Sequence, residues 1–297
     1  MRTPSAEMRA LARVGQRVGE HYLVEELLGL GAMGSAWAAR DERTGEAVVL
    51  KVHEEGFDGP EPELSLQRFL REAETLASVR HDNVCRLLAS GTDAQTGEAF
   101  LVLERLSGMT LAEACGGRPR EVGWASRVTA QLARGLEAVH AAGILHRDIK
   151  PTNVILDRTS GAVVPKIIDF GLARPLRPRV PVTAGRVAVG TPGYMAPEQC
   201  RGLADLDARI DVYALGVTLY EMLTGALPVD GATGMDLMIA TVTRGPTSPR
   251  AHRADLSPAL EALVLTALAT DRDARFASAS ALREAIEGLG RETRVHA

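Results

Sequence analysis

A short polar segment near the middle of the chain carries residue types suited to phosphate chemistry. Within residues 146–153, which read His-Arg-Asp-Ile-Lys-Pro-Thr-Asn, Asp148 is followed by Lys150 two positions on and by Asn153 five positions on. A carboxylate can orient a hydroxyl and accept its proton, an ammonium can neutralise phosphate charge, and an amide oxygen can ligate Mg²⁺. Sixteen residues after Asn153, Asp169 opens an Asp-Phe-Gly sequence and offers a second oxygen ligand. These spacings favour a site that handles a phosphate and a divalent cation.

Lysine is rare in this chain and stands at three informative positions. Lysine and arginine together number 34, but only Lys51, Lys150 and Lys166 are lysines. A compact ammonium and a planar guanidinium are not equivalent at a crowded site. For Lys51 and Lys150, we favour the interpretation that these positions are lysine because the ammonium contacts phosphate. Random loss of other lysines is the alternative, and under it Lys166 is a solvent-facing strand residue.

A glycine-rich segment precedes Lys51. Residues 28–34 read Leu-Gly-Leu-Gly-Ala-Met-Gly, so Gly29, Gly31 and Gly34 follow the pattern Gly-x-Gly-x-x-Gly. A flexible hairpin explains this pattern as well as a phosphate loop does. A dinucleotide-binding fold requires a helix after the third glycine, whereas residues 35–39 continue a strand. Glycines here let backbone amides approach phosphate oxygens without obstruction by Cβ atoms.

A lysine on a partly buried strand needs a carboxylate to hold its charge. The helix predicted after Lys51 carries Glu72 and Glu74, and Glu72 on a facing helix would form such a pair. Either glutamate can equally belong to a solvated helix face. The sequence alone does not favour an ion pair with Lys51 over a position on a solvated helix face.

The elements that must position these residues change character along the chain. Strand patterns cover residues 22–24, 36–39, 47–52, 84–90 and 99–104, and a helical pattern covers residues 64–79. Beyond residue 108 the predicted elements are helices, at residues 124–142, 212–223, 235–243, 258–270 and 277–288. The pattern predicts a small β-rich lobe joined near residues 104–108 to a larger α-rich lobe. Ligands favour the crevice between such lobes.

With these motifs in this order, the chain resembles the eukaryotic-like serine/threonine protein kinases of bacteria over residues ~20 to ~288. Ala196-Pro197-Glu198 is similar to the end of their activation segment, and residues 190–194 are similar to the serine/threonine branch. The resemblance implies an α+β, two-lobed fold, with a β-rich N-lobe containing one main helix and a larger helical C-lobe. The implied division is an N-terminal extension (1–20), a kinase domain (21–288, with lobes 21–106 and 107–288) and a tail (289–297).

The same resemblance implies roles for individual residues. Asp148 would be the catalytic base, Lys150 would steady the γ-phosphate, and Lys51 would contact the α- and β-phosphates while pairing with Glu72. Mg²⁺ would be held by Asn153 and Asp169. The positions that resemble ATP contacts are Leu28, Gly29, Leu30, Gly31, Ala32, Met33, Gly34, Ser35, Ala36, Val49, Lys51, Leu103, Glu104, Leu106 and Ile155.

Two of the implied ATP contacts depart from the family pattern. Ala36 stands where relatives usually have Val, and Val49 stands where they usually have Ala. The exchange keeps the total volume, which predicts that the two side chains face each other above the adenine. Independent drift on a tolerant strand is the alternative. Leu103 resembles the gatekeeper, with the Glu104 carbonyl and the Leu106 amide meeting the adenine edge.

The resemblance also implies regulation and long-range anchors. Arg147 immediately precedes the catalytic aspartate, a placement that in the family accompanies activation by loop phosphorylation. Thr183 is the candidate phosphosite, and Thr191 lies nearer the substrate end of the segment. Asp211 resembles the helix aspartate that anchors the catalytic loop, and Glu198 would pair with Arg275. His146 and Phe170 are predicted to belong to a packed structural spine rather than to act as catalysts.

Composition excludes several other classes of protein. The net charge of −4 argues against a nucleic-acid binder driven by bulk electrostatics, and no apolar run is long enough to span a membrane. An odd number of scattered cysteines, Cys85, Cys115 and Cys200, predicts free thiols and a cytoplasmic location. The expected partners are ATP and proteins that offer Ser or Thr, whereas the oligomeric state is unknown. A pseudokinase and a small-molecule phosphotransferase are the competing classes, and the intact motifs disfavour both.

Overall fold

The computed structural model describes residues 13–31, 34–53, 62–170, 173–175 and 189–295. The chain divides into two compact units, one of residues 1–80 and 85–106 and the other of residues 81–84 and 107–297. The first unit is built on a β-sheet with one helix, and the second is mainly helical. The predicted α+β class is therefore confirmed.

The first unit is an antiparallel sheet with a helix on one face. Within its described residues, six strands pair in the order β1-β2-β3-β4-β6-β5. The elements are β1 (Arg17–Val18), β2 (Tyr22–Gly31), β3 (Gly34–Asp41), β4 (Ala47–His53), α1 (Pro62–Ser78), β5 (Leu87–Thr92) and β6 (Ala99–Glu104). The sheet thus begins at Arg17, before the domain boundary predicted at residue 21.

Alternation along the strands gives the sheet two different faces. One face forms an apolar core around Trp37, Leu50 and Val102, all of which are almost fully buried. On the other face, Phe69 of α1 packs with Leu101 of β6 in a second apolar cluster. Lys51 points to this second face, because it alternates with Leu50 along β4. The sheet therefore carries its candidate phosphate-binding lysine on the side covered by α1.

The second unit carries most of the helices. Its elements are β7 (Gly108–Thr110), α2 (Leu111–Cys115), α3 (Val122–Ala141), β8 (Ile144–Leu145), a 3₁₀ turn (Pro151–Asn153), β9 (Val154–Asp157), β10 (Val164–Ile167), β11 (Arg174–Pro175), α4 (Pro197–Cys200), α5 (Arg209–Thr224), α6 (Gly234–Thr243), α7 (Pro249–His252), α8 (Pro258–Ala267), a second 3₁₀ turn (Arg272–Ala274) and α9 (Ala279–Val295). Helix α5 is buried almost all round, which makes it the central helix of this unit.

Short strands frame the candidate catalytic segment. Strand β9 pairs on one side with β10 and on the other with β7, and β8 pairs with β11. Residues 146–153 lie between β8 and β9, so paired strands hold both ends of that segment. These strands of two to four residues were not predicted from the sequence, because so short a run carries no usable periodicity.

Most of the predicted elements agree with the structure to within a few residues, with three corrections. The strand predicted at residues 22–24 continues to Gly31. The strand predicted at residues 84–90 begins only at Leu87, because Val84 instead forms an isolated parallel bridge with Ile167. The last helix continues from Ala279 to Val295, beyond its predicted end at residue 288, because Gly288 and Gly290 do not interrupt it. Among the described residues, no helix is both long enough and apolar enough to cross a membrane.

Candidate active site

Lys51 forms a two-pronged ion pair with Glu72 in the first unit. Its Nζ lies 2.9 Å from Oε1 and 2.7 Å from Oε2 of Glu72. The Glu72 side chain is 1% exposed and that of Lys51 is 20% exposed, whereas Glu74 points to solvent. The rotation of the helix about its axis therefore places Glu72, and not Glu74, beside Lys51. The sequence alone did not determine this. A buried carboxylate with both oxygens on one ammonium fixes the direction in which Lys51 points.

The glycine-rich segment joins β2 to β3 in this same sheet. Gly34 has a φ of 138°, and a Cβ there would lie 1.9 Å from the carbonyl oxygen of Val52, so this position requires glycine. A Cβ on Gly29, by contrast, would meet no atom of the described residues within 4 Å, apart from its neighbours along the chain. Gly31 ends β2, and the predicted contacts Ala32 and Met33 lie outside the described residues. The hairpin interpretation is therefore correct for the paired backbone of β2 and β3.

Ser35 is a correction to the predicted set of ATP contacts. Its side chain is completely buried, and its hydroxyl accepts a hydrogen bond of 2.7 Å from the indole N–H of Trp37. Because side chains alternate along β3, Ser35 and Trp37 lie on the core face, opposite to Ala36. The hydroxyl of Ser35 is consequently part of the core and does not face a nucleotide.

The predicted adenine contacts of the sheet share one face, but Ala36 and Val49 are not directly opposite each other. Ala36 pairs with Lys51, and Val49 pairs with Ala38 on one side and Leu103 on the other. Ala36 and Val49 are therefore diagonal neighbours, whose Cβ atoms in such sheets are roughly 7 Å apart. The prediction that Ala36 and Val49 face each other directly is therefore wrong, because the strand register offsets them by two residues. Both side chains are nevertheless half-buried on the same face of the sheet as Lys51.

The remaining predicted adenine contacts are distributed over both units. Leu28 and Leu30 are exposed on β2, and Leu106 is half-buried. The Glu104 carboxylate accepts a hydrogen bond from the amide of Arg86, which fixes the end of β6. Ile155 is half-buried on β9 of the second unit. Each unit thus presents apolar side chains at the predicted positions.

The Asp148 carboxylate is the centre of a hydrogen-bonded cluster in the second unit. Lys150 Nζ donates to Oδ2 over 2.7 Å, and the Thr191 hydroxyl donates to Oδ1 over 2.6 Å. Lys150 Nζ also donates to the Thr191 hydroxyl over 2.5 Å. The side-chain amide of Asn153 donates to Oδ2 over 2.9 Å. The carboxylate is therefore oriented by three neighbours, and the segment that carries Thr191 is joined to the catalytic segment.

Asn153 and the backbone next to Asp169 are also joined. Asn153 is buried, and both of its side-chain hydrogen bonds use the amide nitrogen, so the amide oxygen is the atom suited to a cation. The amide of Ile168 donates to the Asn153 carbonyl over 2.9 Å, which brings the following residue, Asp169, to this place. Asp169 is exposed and has a φ of 62°.

This donor set fits Mg²⁺. One amide oxygen and one carboxylate suit a hard cation that keeps several waters and phosphate oxygens in its shell. Among the described residues, no three His, Cys, Asp or Glu side chains cluster so as to hold a metal ion alone. Asn153 and Asp169 therefore match a cation that arrives with phosphates better than they match a resident structural metal.

Asp211 anchors the backbone of the catalytic segment from α5. Its carboxylate is fully buried and accepts hydrogen bonds from the amides of His146 (2.9 Å) and Arg147 (2.8 Å) and from His140 Nε2 (2.8 Å). Burial alone would raise the pKa of Asp211, but the hydrogen bond and charge of His140, with the Arg147 amide, hold the pKa below its ordinary value. Asp211 therefore anchors this segment in its ionised form, and the hydrogen bonds have the arrangement that the family resemblance implies for an anchor.

His146 is a packed residue rather than a catalyst. Its ring stacks edge-on against Phe170 with centroids 4.6 Å apart, and it is completely buried. The amide of Asp148 donates to Nδ1, and Nε2 lies 3.4 Å from the carbonyl of Ile168, which requires a neutral ring with its proton on Nε2. Burial lowers the pKa of His146 and maintains that neutral form.

The end of the predicted activation segment is fixed by a buried ion pair. Glu198 accepts two hydrogen bonds from the guanidinium of Arg275, of 2.7 and 2.8 Å, and both side chains are at most 5% exposed. The pairing therefore has the geometry expected from the sequence. Thr183 lies outside the described residues, as do most of the residues between Asp169 and Thr191.

Two contributors to the site escaped sequence reasoning. Thr191 was expected to be regulatory, yet its hydroxyl bonds directly to Asp148 from 43 positions away. His140 is absent from the predicted site residues, yet its Nε2 lies 2.8 Å from Oδ2 of the anchor Asp211. The only signal for Thr191 was its place in the Gly-Thr-Pro-Gly-Tyr sequence, and periodicity cannot reveal a contact between such distant residues.

A sheet that presents a paired lysine, and a helical unit whose Asp-x-Lys-x-x-Asn segment is anchored by a buried aspartate, together define a protein kinase. The sequence profile of the protein kinase domain matches residues 22–285, and the chain belongs to this family.

Named relatives narrow the class. The chain is 34% identical to the serine/threonine-protein kinase pkn3 of Myxococcus xanthus, over 99% of this chain and 54% of that protein. It is 38% identical to the serine/threonine-protein kinase Pkn1 of Myxococcus xanthus, over 96% of this chain and 40% of that protein. It is 34% identical to the serine/threonine-protein kinase PknB of Mycolicibacterium smegmatis, over 90% of this chain and 43% of that protein.

These comparisons confirm the predicted resemblance to bacterial serine/threonine protein kinases. The chain spans about half the length, or less, of the curated relatives it matches. The predicted class of enzyme, a protein serine/threonine kinase, is supported by the names of these relatives. They lend no support to the alternative of a pseudokinase.

Proposed function

We propose that this chain transfers the γ-phosphate of Mg·ATP to serine and threonine hydroxyls of proteins. The observation that carries the proposal is the orientation of the Asp148 carboxylate by Thr191, Lys150 and Asn153. A carboxylate held in this way can accept the proton of an incoming hydroxyl at a fixed place. Lys150, already beside that carboxylate, can stabilise the negative charge that develops on the transferred group.

The first unit supplies the residues that would bind ATP. Lys51, directed by Glu72, would contact the α- and β-phosphates, and the backbone around Gly29 would cover them. Ala36, Val49 and Leu103 would contact the adenine from one face of the sheet. This arrangement is supported by the shared face of these residues and by the lack of any described atom within 4 Å of a Cβ built on Gly29, apart from its chain neighbours.

The second unit supplies the residues that would hold Mg²⁺. When bound, the ion bridges phosphate oxygens and neutralises their charge. The amide oxygen of Asn153 and the carboxylate of Asp169 would be its protein ligands. Their oxygen chemistry and the link between Asn153 and Ile168 support this assignment.

Phosphate transfer to a generic basic protein tests the proposal. Wild type should transfer radiolabelled phosphate from ATP, and chelation of Mg²⁺ should abolish the transfer. Asp148→Asn should lose orders of magnitude in kcat while still binding a fluorescent ATP analogue, because the proton acceptor is removed but the phosphate contacts remain. Lys51→Met should weaken nucleotide binding, since the direction set by Glu72 is lost.

A matched control is Asp82→Asn, which changes an exposed aspartate of the same unit. It should keep wild-type kcat. If Asp148→Asn kept near-normal turnover, the assigned base would be wrong. If wild type bound Mg·ATP but transferred no phosphate to any protein, the chain would be a pseudokinase.

Regulation through the activation segment is a further part of the proposal. Arg147 precedes Asp148, and a phosphate on Thr183 would add about two negative charges that arginines can bind bidentately. Mass spectrometry should find phosphate on Thr183 in wild type and none in Asp148→Asn, and Thr183→Ala should lower activity several-fold. An unmodified Thr183 in fully active protein would contradict this. A location in the cytoplasm and a role for Thr191 in regulation stay predictions.

A further inference from the structure

A buried glutamine lies between the two backbone segments that carry Asp148 and Thr191. Gln199 directly follows Glu198 on α4 and is 3% exposed. The buried ion pair between Glu198 and Arg275 fixes this part of the chain. Buried polar side chains are normally hydrogen-bonded, so the partners of Gln199 indicate what the side chain does.

Three backbone contacts engage both polar atoms of the Gln199 side-chain amide. Its Oε1 accepts a hydrogen bond of 3.0 Å from the amide of Ala196, which identifies the remaining atom as the donor Nε2. Nε2 donates to the carbonyl of Val189 over 3.2 Å and, over a longer 3.4 Å, to the carbonyl of Arg147. Neither a thioether nor a carboxylate of the same length can accept once and donate twice. Gln199 therefore joins three segments of the chain.

The Arg147 carbonyl belongs to the peptide group that links Arg147 to Asp148. Arg147 has a strained φ of 73°, and its amide is already held by Asp211 over 2.8 Å. Gln199 contacts the carbonyl side of this same residue. Both peptide groups around the strained residue are thus held by buried side chains, and one of these groups leads directly into Asp148.

The Val189 carbonyl belongs to the peptide group that leads into Gly190. Gly190 has a φ of 138°, and a Cβ there would lie 3.1 Å from the carbonyl oxygen of Arg147. Glycine therefore lets the two backbones approach each other closely at this point. One residue further on, the Thr191 hydroxyl donates to the Asp148 carboxylate. Gln199 consequently spans the two backbones immediately beside that hydrogen bond.

We propose that Gln199 is a positioning residue for phosphate transfer, because it sets the hydrogen bond between Thr191 and Asp148. The buried amide acts through the Thr191 hydroxyl, which orients the carboxylate that accepts the proton of the acceptor. The inference rests on the proposed function, since Asp148 is a catalytic base only if the chain is a kinase. It adds to that function a residue of α4 that links the activation segment to the catalytic segment.

A double-mutant cycle in kcat tests the proposal. Gln199→Met keeps the length of the side chain, removes all three contacts and should lower kcat about fivefold, as Thr191→Val should. KM for ATP should stay at its wild-type value, because the residues assigned to ATP are not changed. Since Gln199 acts through Thr191, the double variant should also be slowed about fivefold, whereas independent effects would multiply to about 25-fold. Multiplied losses, or wild-type kcat in Gln199→Met, would overturn the proposal.

Two further variants guard against a general loss of structure. Gln131→Met removes a half-buried glutamine of α3 that bonds to neither segment in the described part of the chain, and it should keep wild-type kcat. Gln199→Asn retains an amide but shortens the side chain by one methylene, so it cannot span all three contacts and should lose kcat as Gln199→Met does. A loss in Gln131→Met as large as in Gln199→Met would contradict positioning, as would full activity of Gln199→Asn.

Hydrogen exchange followed by mass spectrometry gives a measurement that needs no catalysis. Gln199→Met should speed amide exchange in residues 189–194, where the Tyr194 amide bonds to the Thr191 carbonyl, and should leave α5 at the wild-type rate. Unchanged exchange in residues 189–194 would refute the positioning role whether or not the chain is a kinase. Failure of wild type to phosphorylate any protein contradicts the kinase activity instead, and leaves the exchange result to decide whether Gln199 holds this segment.

Discussion

Removal of Arg275 tests how much a buried ion pair contributes to this fold. The guanidinium is fully enclosed, donates twice to Glu198, and lies over the ring of Tyr213 with its central carbon 5.0 Å from the ring centroid. It also donates to the carbonyls of Ala269 (2.6 Å) and Thr270 (3.2 Å). Arg275→Met keeps most of the side-chain volume but removes the charge and every one of these hydrogen bonds.

The expected cost follows from what the substitution leaves behind. Glu198 becomes an unpaired carboxylate in a buried place, a change that costs about 3–5 kcal/mol. The carbonyls that lose a donor add about 1 kcal/mol. The free energy of unfolding should therefore fall by about 4–6 kcal/mol, a large fraction of the ~5–15 kcal/mol typical of folded proteins. Tm should fall by roughly 6–10 °C for a chain of this size.

A matched surface variant isolates the effect of burial. Arg134 donates to Glu287 over 2.7 Å, the same distance as in the buried pair, but its side chain is 51% exposed. Arg134→Met should cost less than about 1 kcal/mol, because water screens an exposed pair and solvates the remaining partner. Urea unfolding followed by circular dichroism measures both variants.

A double variant tests the assigned cause. Glu198→Gln should recover part of the loss when added to Arg275→Met, because no buried charge then remains, so the two changes should be clearly non-additive. Equal costs for Arg275→Met and Arg134→Met would refute the reasoning from burial. Strict additivity with Glu198→Gln would show that the stability comes from the carbonyl contacts instead.

Three further outcomes follow from local geometry. Gly34→Ala should lower the free energy of unfolding by at least about 2 kcal/mol in urea, because the new Cβ would lie 1.9 Å from a backbone oxygen. Gly29→Ala should leave Tm within measurement error and change KM for ATP. An equal loss of stability in the two variants would contradict these contacts. Burial raises the pKa of the thiols of Cys115 and Cys200 to about 11, so roughly one thiol in a thousand is ionised at pH 8. A thiol-alkylating reagent should therefore modify both residues slowly in the native protein, as followed by mass spectrometry. Rapid alkylation would contradict the burial of these thiols. Thr191→Val should lower kcat several-fold without changing nucleotide affinity, because it removes the hydroxyl that bonds to Asp148. Thr191→Ser keeps the hydroxyl and should keep the wild-type kcat. Full activity of the valine variant would contradict a role for Thr191 in orienting Asp148.

Local patterns predicted the long elements and the chemical groups of the site. Helical spacing indicated the helix of Phe69 and Ala73, and the position of Lys51 on a strand indicated a carboxylate partner on that helix before any contact was visible. These predictions succeeded because both signals depend on residues close together in sequence. The choice of Glu72 over Glu74 required the phase of the helix against the sheet, which only packing determines.

Register and distant contacts could not be obtained in this way. The diagonal relation of Ala36 and Val49 depends on how the strands are paired, and a shift of two residues would have made them direct neighbours. Their energetic coupling should accordingly be smaller than for a facing pair. The inward direction of Ser35 follows from strand alternation and from the need of the Trp37 indole for an acceptor, so it was open to sequence reasoning and was missed.

Backbone strain in the second unit falls on residues of the candidate site. Arg147 and Asp169 have φ values of 73° and 62°, and with Glu20 they are the residues other than glycine with positive φ among those the structure describes. Such conformations cost on the order of 1–3 kcal/mol each. Glycine at either position would remove the cost, so the side chains there must provide something that outweighs it. For Asp169 that is an exposed carboxylate beside the backbone link to Asn153, and for Arg147 it is a cation one residue before Asp148.

The fully buried Asp211 holds the strained backbone at Arg147, because its carboxylate accepts a hydrogen bond from the Arg147 amide. The interior of α5 therefore supports the candidate site from a distance, because it stabilises a strained backbone conformation in the segment that carries Asp148.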